Sequence, residues 1–482
     1  MSALRISGKD YAALNRHLFR PDRDEYGAVI LAGRSDVREL PTFLAREVHL
    51  LDETEFTAGE YGYRQIAPHV LAKLGNRAAE QKLSLFTCHS HPTATDRNRL
   101  SVPDLEAHER VFPHLLDIVD GGAVGGITFG LESAAGEIWA PDAEPQALSH
   151  VDIVGASSDQ LFPDPRHDVE TDLRFDRQAR MFGAEGQAKL RNSTIAVIGA
   201  GGGGSMVIEQ LAHLGVGRLL AVDYDVVKTH NLSRVMGATP EDATHGRKKV
   251  DVARDLVSRI DPTIDFQGID GDLADGPVAQ RVASADFIFL CTDTITSRLV
   301  ANAIVHAHFI PMIQIGAKVD LLNKGAIESI YVAVRPVFPG RGCLACAGLI
   351  DPTALQREAA TDEERQAQNY LNLPEVIDPS VVTLNGVAAS VATNLMLMNI
   401  VGLADDEYLD HRLFDAQTGN WLSLKVQSDL GCRWCGSNDK SAFGLGSSAW
   451  LPVRIGEPDP PAPVASSRFA RWLPWRRKRP SR

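Results

Sequence analysis

His89 and His91 stand one residue apart at the end of an apolar run, Leu83–Cys88, and Ser101-Val-Pro-Asp104 follows. Two imidazoles on an extended segment plus a later carboxylate supply three ligands to zinc and leave its fourth position to water. Glu25 precedes the strand-like YGAVILAGR run and is a candidate to take the proton of that water. Ser101 and Asp104 also read as an ordinary helix start, a hydroxyl cap with an acid in the first turn.

A second constellation lies downstream. Gly199-Ala-Gly201-Gly-Gly-Gly204 follows the apolar TIAVI and opens the helical SMVIEQLAHLG, so the backbone can approach a phosphate chain at a helix N-terminus. Asp223 ends the next apolar run, about where an acid meets a ribose hydroxyl. Alone, this pattern fits a nicotinamide dinucleotide at least as well as a triphosphate, and a glycine turn without ligand is the bland third reading. Asn231, Arg234, Lys249 and Asp293 decide the matter. A dinucleotide already binds through its glycine loop. A nucleoside triphosphate losing pyrophosphate needs cations against the developing charge and a hard oxygen ligand for Mg²⁺. Lys248, beside Lys249, competes for the same role.

Cys343 with Cys346, and Cys432 with Cys435, form two C-x-x-C pairs. Four thiolates close a tetrahedral zinc site as a structural staple, with a redox pair as the competitor. Cys88 and Cys291 remain; Cys291 ends an apolar run and reads as a buried, inert thiol.

The elements that must carry these groups follow two rhythms. Strand-like Ala28–Ala32 and Leu83–Cys88 are followed by a helical pattern after Asp104 and glycine-punctuated strands from Ala123 to Trp139. From Ser193, strands such as RLLAVD, ADFIFLCTD and PMIQIG alternate with helices, which predicts a mostly parallel sheet covered on both faces. A length of 482 residues suits two domains and appendages. We expect a first domain over 1–150, a Pro- and Asp-rich linker over 151–171, a second domain over 172–440 and a disordered basic tail over 441–482. Composition, 44% hydrophobic and 23% charged, is that of a soluble globular protein. The formal charge of −13 argues against nucleic-acid binding. From Arg468 onward seven Lys and Arg accompany Trp472 and Trp475 without an acid, a pattern that suits a membrane surface or an acidic partner. The N-terminal sequence has no apolar core of signal-peptide length, and Val387–Val401 is broken by Asn394 and Asn399, as in a buried helix. A cytoplasmic location is expected, where paired cysteines suggest metal before disulfide.

Both halves resemble known families. Arg177-Gln178, the Gly199–Gly204 loop, LAHLGVGRLLAVDYD, Asn231-Leu-Ser-Arg234, Lys249 and Cys291-Thr-Asp293 occur in the order found in ThiF/MoeB-type and ubiquitin-activating-type enzymes, over about Phe175 to Gly436. That resemblance implies an α/β, Rossmann-like doubly wound adenylation domain. It implies that Asp223 holds the ATP ribose, that Asn231, Arg234 and Lys249 contact the phosphates, and that Asp293 binds Mg²⁺. It further implies that Arg177 reaches across a two-fold homodimer into the partner's site; without it, Arg177 reads as a surface salt bridge. A closed zinc site is common in the family. The front segment, about Met1–Ala140, resembles the JAMM (JAB/MPN) metalloprotease motif of a distant glutamate, H-x-H and S-x-x-D. This implies an α+β, cytidine-deaminase-like sandwich in which His89, His91 and Asp104 bind zinc, Glu25 is the general base and Ser101 helps stabilise the oxyanion. The spacer Pro92–Leu100 is longer than is usual there, and we expect it to bulge over the site.

Together the two resemblances imply a bifunctional enzyme. One half adenylates the C-terminal glycine of a ubiquitin-like protein, and the peptidase half exposes that terminus or removes the protein from its conjugates. The alternative is sulfur-carrier activation of the thiamin, molybdopterin or cysteine synthesis type, with the front half releasing product; in a third reading the front half is metal-free and serves only to dock the carrier. No cysteine lies between Cys346 and Cys432, so a thioester on the enzyme itself is not expected. The adenylate would pass to an external conjugating enzyme or sulfur donor.

Overall fold

The computed structural model describes residues 2–22, 24–58, 64–165, 172–321, 327–359 and 379–454. The first unit is built on β1 (Ala3–Ser7), β2 (Gly27–Ser35), β3 (Thr42–Leu50), a separate hairpin of β4 (Phe56–Ala58) and β5 (Arg64–Ile66), then β6 (Ser84–Ser90), β7 (Val124–Phe129), β8 (Ala134–Trp139), β9 (Gln146–Ala147), β10 (Val151–Val154) and β11 (Asp159–Leu161). Its mixed sheet runs β11-β10-β1-β3-β2-β6-β7-β8-β9. Residues of both parities are apolar in β2, because this central strand is covered on both faces. Ala28, Ile30 and Ala32 pack with Leu14 and Leu18 of α1 (Gly8–Leu18). Val29 and Leu31 pack with Leu74 and Ala78 of α2 (Pro68–Gln81) and Phe112 and Leu115 of α3 (Val102–Val119).

The segment expected as a linker is partly sheet. Val151–Val154 pairs in parallel with β1, and Asp159–Leu161 pairs antiparallel with Val151–Val154. Val151, Ile153 and Leu161 supply the buried apolar positions of two short strands, a signal that the surrounding Pro and Asp residues obscured.

The second unit begins with α4 (Asp176–Asn192) and contains β12 (Thr194–Ile198), β13 (Arg218–Val222), β14 (Asp265–Ile269), β15 (Phe287–Leu290), β16 (Met312–Leu321), β17 (Ile327–Val337), β18 (His411–Asp415) and β19 (Asn420–Leu424). Their order is β14-β13-β12-β15-β16-β17-β18-β19. β12 to β16 are parallel, and β17 to β19 close the sheet as an antiparallel meander. From β12 the chain builds outward one way to β14 and then returns to β15 on the other side. The ends of β12, β13 and β15 therefore surround a topological switch point, the crevice where doubly wound sheets bind ligands. One face is covered by α5 (Gly202–Leu214), α7 (Lys249–Ile260), which follows the short α6 (Pro240–His245), and a late helix, Val382–Ile400. The other carries α8 (Gly276–Val282) and α9 (Ile295–His308). Among the described residues no helix is long and apolar enough to cross a membrane.

The two units are joined by polar contacts. Arg5, buried in β1, pairs with Asp152 at 3.3 Å and with Asp286 of the second unit at 3.2 Å, and Arg38 reaches Asp286 at 2.6 Å. Asn399, which interrupts the apolar run, donates to the Gly155 and Ala156 carbonyls at 2.7 and 2.6 Å. The tail expected to be disordered from residue 441 is ordered as far as Arg454. Ser441, Ala442 and Phe443 are buried, and Arg46 of the first unit donates to the carbonyls of Asn438, Asp439, Ser441 and Phe443. The basic, tryptophan-bearing end lies outside the described residues.

Candidate functional site

The crevice at the switch point has a volume of about 560 Å³. Gly199 turns the chain after β12 with φ +90°, and a Cβ on Gly204 would lie 1.7 Å from the Gly199 carbonyl oxygen, so α5 can start this close only on glycine. Gly201 caps that helix and faces open space. The Asp223 carboxylate accepts from the amides of Ala200 at 2.7 Å and Asp225 at 2.8 Å, tying the end of β13 to the glycine turn. Burial raises its pKa, against the pull of Lys249 at 3.9 Å. Lys249 lines the crevice with its ammonium 2.7 Å from Asp225. Lys248 is not part of the crevice wall, and its ammonium is directed to the Tyr224 carbonyl and to Asp270. Arg234 and Asp293 also line the crevice.

Two of the sequence-derived residues sit elsewhere. Asn231 is buried, and its carboxamide oxygen accepts from the Lys228 amide at 3.0 Å, closing the turn that presents Arg234. It shapes the site and does not form its wall. Arg177 is exposed on α4, outside the crevice, and among the described residues it makes no ion pair; the neighbouring Asp176 pairs with Arg180. Sequence reasoning missed Arg298, Gln314, Arg335 and Asn385, which all line the crevice. The available signal was a lone cation in the otherwise apolar YVAVRPV strand. Cys291 lines the crevice too, but burial pushes its thiol far above the ordinary range.

The four paired cysteines converge. Sγ separations are 3.7 Å for Cys343 to Cys346, 3.7 Å for Cys343 to Cys432 and 3.4 Å for Cys346 to Cys435, with all four ligand atoms within 4.8 Å of one another. A tetrahedron with metal–sulfur bonds of about 2.3 Å has edges of roughly 3.8 Å, so the cluster fits a metal and is too open for disulfides. Hydrogen bonding with Cys343 and Cys435 lowers the Cys432 pKa.

In the first unit His89, His91 and Asp104 also converge within 4.8 Å. Nε2 of His89 lies 3.2 Å from Nε2 of His91 and 3.3 Å from Asp104 Oδ1, and His91 Nε2 lies 3.7 Å from Oδ2. Burial opposes ionisation of Asp104, but the hydrogen bond and charge of His89 and the bonds from Ser101 outweigh it and hold the carboxyl below its usual range. Three ligands of metal-binding type with their donor atoms turned together fit a metal with an open position. Ser101 caps α3, and its hydroxyl donates to Asp104 at 2.6 Å. Glu25 lines an adjoining cleft of about 1050 Å³ together with His89 and Asp104. The spacer 92–100 does not bulge over this cleft. It folds back onto the β7–β8 turn and Pro163 through backbone bonds from Leu131 to Ala94, Glu132 to Thr95 and Asn98 to Pro163. Its Asn98 is buried and reaches His91 Nδ1 at 3.0 Å. Cys88, beside the histidines, is buried against the Ala28 carbonyl, and burial pushes its thiol up to about 12.

A glycine turn, an acid and flanking cations at the switch point of a doubly wound sheet define a nucleotide-binding α/β protein. The ThiF family model matches residues 175–433, more than half of the chain, and the chain belongs to that family. It is 29% identical to the molybdopterin-synthase adenylyltransferase of Escherichia coli (strain K12), over 55% of this chain and 96% of that one. It is likewise 29% identical to the SAMP-activating enzyme E1 of Haloferax volcanii, over 53% of this chain and 84% of the relative. Among solved structures, E. coli MccB aligns with a TM-score of 0.46 and 19% identity, covering 56% of this chain and 74% of that one.

Proposed function

We propose that the protein uses ATP to adenylate the C-terminal glycine carboxylate of a small ubiquitin-like or sulfur-carrier protein. The observation that carries this is one crevice, in a ThiF-family chain, lined by the glycine turn, Asp223, Arg234, Lys249 and Asp293. A carboxylate oxygen bonds to the α-phosphorus, the bond from that phosphorus to the bridging oxygen breaks, and pyrophosphate leaves; no proton is released. The turn and the α5 N-terminus cradle the phosphates. Asp223 holds the ribose, and Arg234 and Lys249 offset the charge that develops on the leaving group. Asp293 is the carboxylate for Mg²⁺, which when bound supplies further charge neutralisation. Arg177, exposed and without an ion partner among the described residues, is available to a second copy of the chain in a homodimer. With Cys291 and Cys88 both held as thiols by burial, the acyl adenylate passes to an external thiol or sulfide.

The four-cysteine cluster is a structural zinc site in this reading, and a cytoplasmic location agrees with its reduced thiols. The front unit is a JAMM-type zinc peptidase or isopeptidase acting on the same carrier. Its zinc, when bound, polarises the scissile carbonyl and activates water. His89, His91 and Asp104 hold it, and Glu25 takes the proton from the water. Ser101 orients Asp104 through its short hydroxyl bond and does not line the cleft, so we assign it no oxyanion contact.

Sulfur transfer is the second reading, favoured by relatives named for molybdopterin synthase and for the sulfur carrier ThiS; relatives named for SAMP and for ubiquitin-like modifiers favour conjugation. The test is charging of purified candidate carriers with Mg-ATP, followed by a conjugating enzyme or a sulfur donor. Thiocarboxylate without conjugates selects the second reading, and ATP consumption with no candidate refutes neither until pyrophosphate exchange is also absent.

A further inference from the structure

Two cations in the nucleotide crevice have no part in the reaction as derived above. Arg298 lies on α9 and Arg335 on β17, and both line the crevice beside Gln314 of β16. Gln314 and Arg335 are directly opposed in the antiparallel ladder, and the Arg335 guanidinium donates to the buried Gln314 carboxamide at 2.6 Å. The other end of that carboxamide is fixed on the Ile315 carbonyl at 2.7 Å. Burial lowers the Arg335 pKa, and the charge of Arg298 lowers it further. The Nε of Arg298 is shielded from water and has no hydrogen-bond partner among the described residues. Among the described residues neither arginine makes an ion pair, whereas Lys249 has Asp225 and Lys318 has Asp320. Two neighbouring guanidinium groups, partly withdrawn from water and with no carboxylate partner among the described residues, are unfavourable together, and a bound anion relieves both defects.

We propose that Arg298 and Arg335, with Gln314 bracing Arg335, form the seat for the terminal carboxylate of the polypeptide that is adenylated. The inference rests on the adenylation reading of this crevice. The triphosphate is already supplied with the glycine turn, Arg234 and Lys249, whereas the reaction must bring a second anion against the first. Arginine is the side chain whose planar fork matches a carboxylate. The wall next to the pair is narrow-chained: Gly316, Ala317 and Ala333 line it on the same two strands. Such a wall lets an extended peptide backbone lie close against the two strands.

The test uses the full-length chain saturated with a non-hydrolysable ATP analogue. The probes are a short synthetic peptide ending in Gly-Gly with a free carboxylate and the same peptide amidated, titrated by calorimetry. The free acid should bind at least about tenfold more tightly than the amide, the scale of a lost charge-assisted contact. Arg335→Gln and, separately, Arg298→Gln should erase that preference with the melting temperature kept and the affinity for the ATP analogue unchanged; Arg335→Lys should keep part of it. Equal binding of acid and amide by the wild type, or no binding of either, overturns the proposal. So does an Arg335→Gln variant that loses affinity for the ATP analogue or for inorganic pyrophosphate, which would give the pair to the triphosphate. A wild type that fails to bind the ATP analogue overturns the adenylation reading itself, an outcome seen before any peptide is added.

Discussion

Gly204 and Gly201 sit three residues apart in one glycine turn, and the structure requires them for different reasons. An alanine Cβ at 204 would lie 1.7 Å from the Gly199 carbonyl oxygen and 2.9 Å from its carbon, where separations under 3.0 Å are not tolerated. Both contacts are backbone, so α5 must move from the turn by more than 1 Å. Forced overpacking of this kind costs about 1–3 kcal/mol of stability. A displacement of about 1 Å at the reacting groups lowers turnover by roughly 10²-fold. An alanine at 201 meets nothing within 4 Å, but it projects where the backbone must approach a phosphate chain. Gly204→Ala should therefore lower both the melting temperature and pyrophosphate exchange, whereas Gly201→Ala should keep the melting temperature and lose ATP affinity. Thermal denaturation with and without Mg-ATP, followed by exchange kinetics, separates the two. A Gly204→Ala enzyme with wild-type melting and exchange, or a Gly201→Ala enzyme destabilised as much as it, would refute the assignment of packing to one glycine and phosphate approach to the other.

Metal analysis should find two zinc ions per chain, with His89→Ala removing one and Cys432→Ser giving poorly folded protein, because a closed site contributes folding free energy. One equivalent in well-folded wild type, unchanged by His89→Ala, would remove the first-unit site. Glu25→Gln should retain both metals and lose cleavage of carrier fusions; retained cleavage would exclude Glu25 as the base. A Cys88→Ala, Cys291→Ala double variant should still charge an external thiol or sulfide acceptor, and the wild type should form no thiol-labile carrier adduct on a non-reducing gel. Such an adduct, lost in the double variant, would show one of these buried thiols to be a nucleophile.

The parts of the account readable from sequence were those in which one residue type serves one local need. The glycine turn, the acid at the end of β13 and the strand–helix alternation announced the doubly wound sheet, and the two C-x-x-C pairs announced a four-sulfur cluster. Lys249 and Lys248 differ only in which side of the α7 N-terminus each faces, a distinction that spacing alone does not make. Asn231 lay close to the right place in the chain, but its carboxamide serves a turn. Arg335 left only the signal of a lone cation in an apolar strand and Arg298 left none, because α9 and the β16–β17 hairpin bring them together from distant positions. The strands at 151–161 and the ordered stretch up to Arg454 were missed because their buried apolar residues are few and stand among Pro, Gly and Asp. Phe443 packs with Phe309 and Leu44, and its carbonyl accepts from the Arg46 guanidinium of the other unit, contacts no local pattern records.

ATP–pyrophosphate exchange, measured with each candidate carrier and Mg²⁺, tests adenylation most directly. The account predicts carrier-dependent exchange that falls by orders of magnitude in Asp293→Ala, since Mg²⁺ loses a protein ligand. Hydride transfer from NADH, with no exchange for any carrier ending in glycine, would contradict it.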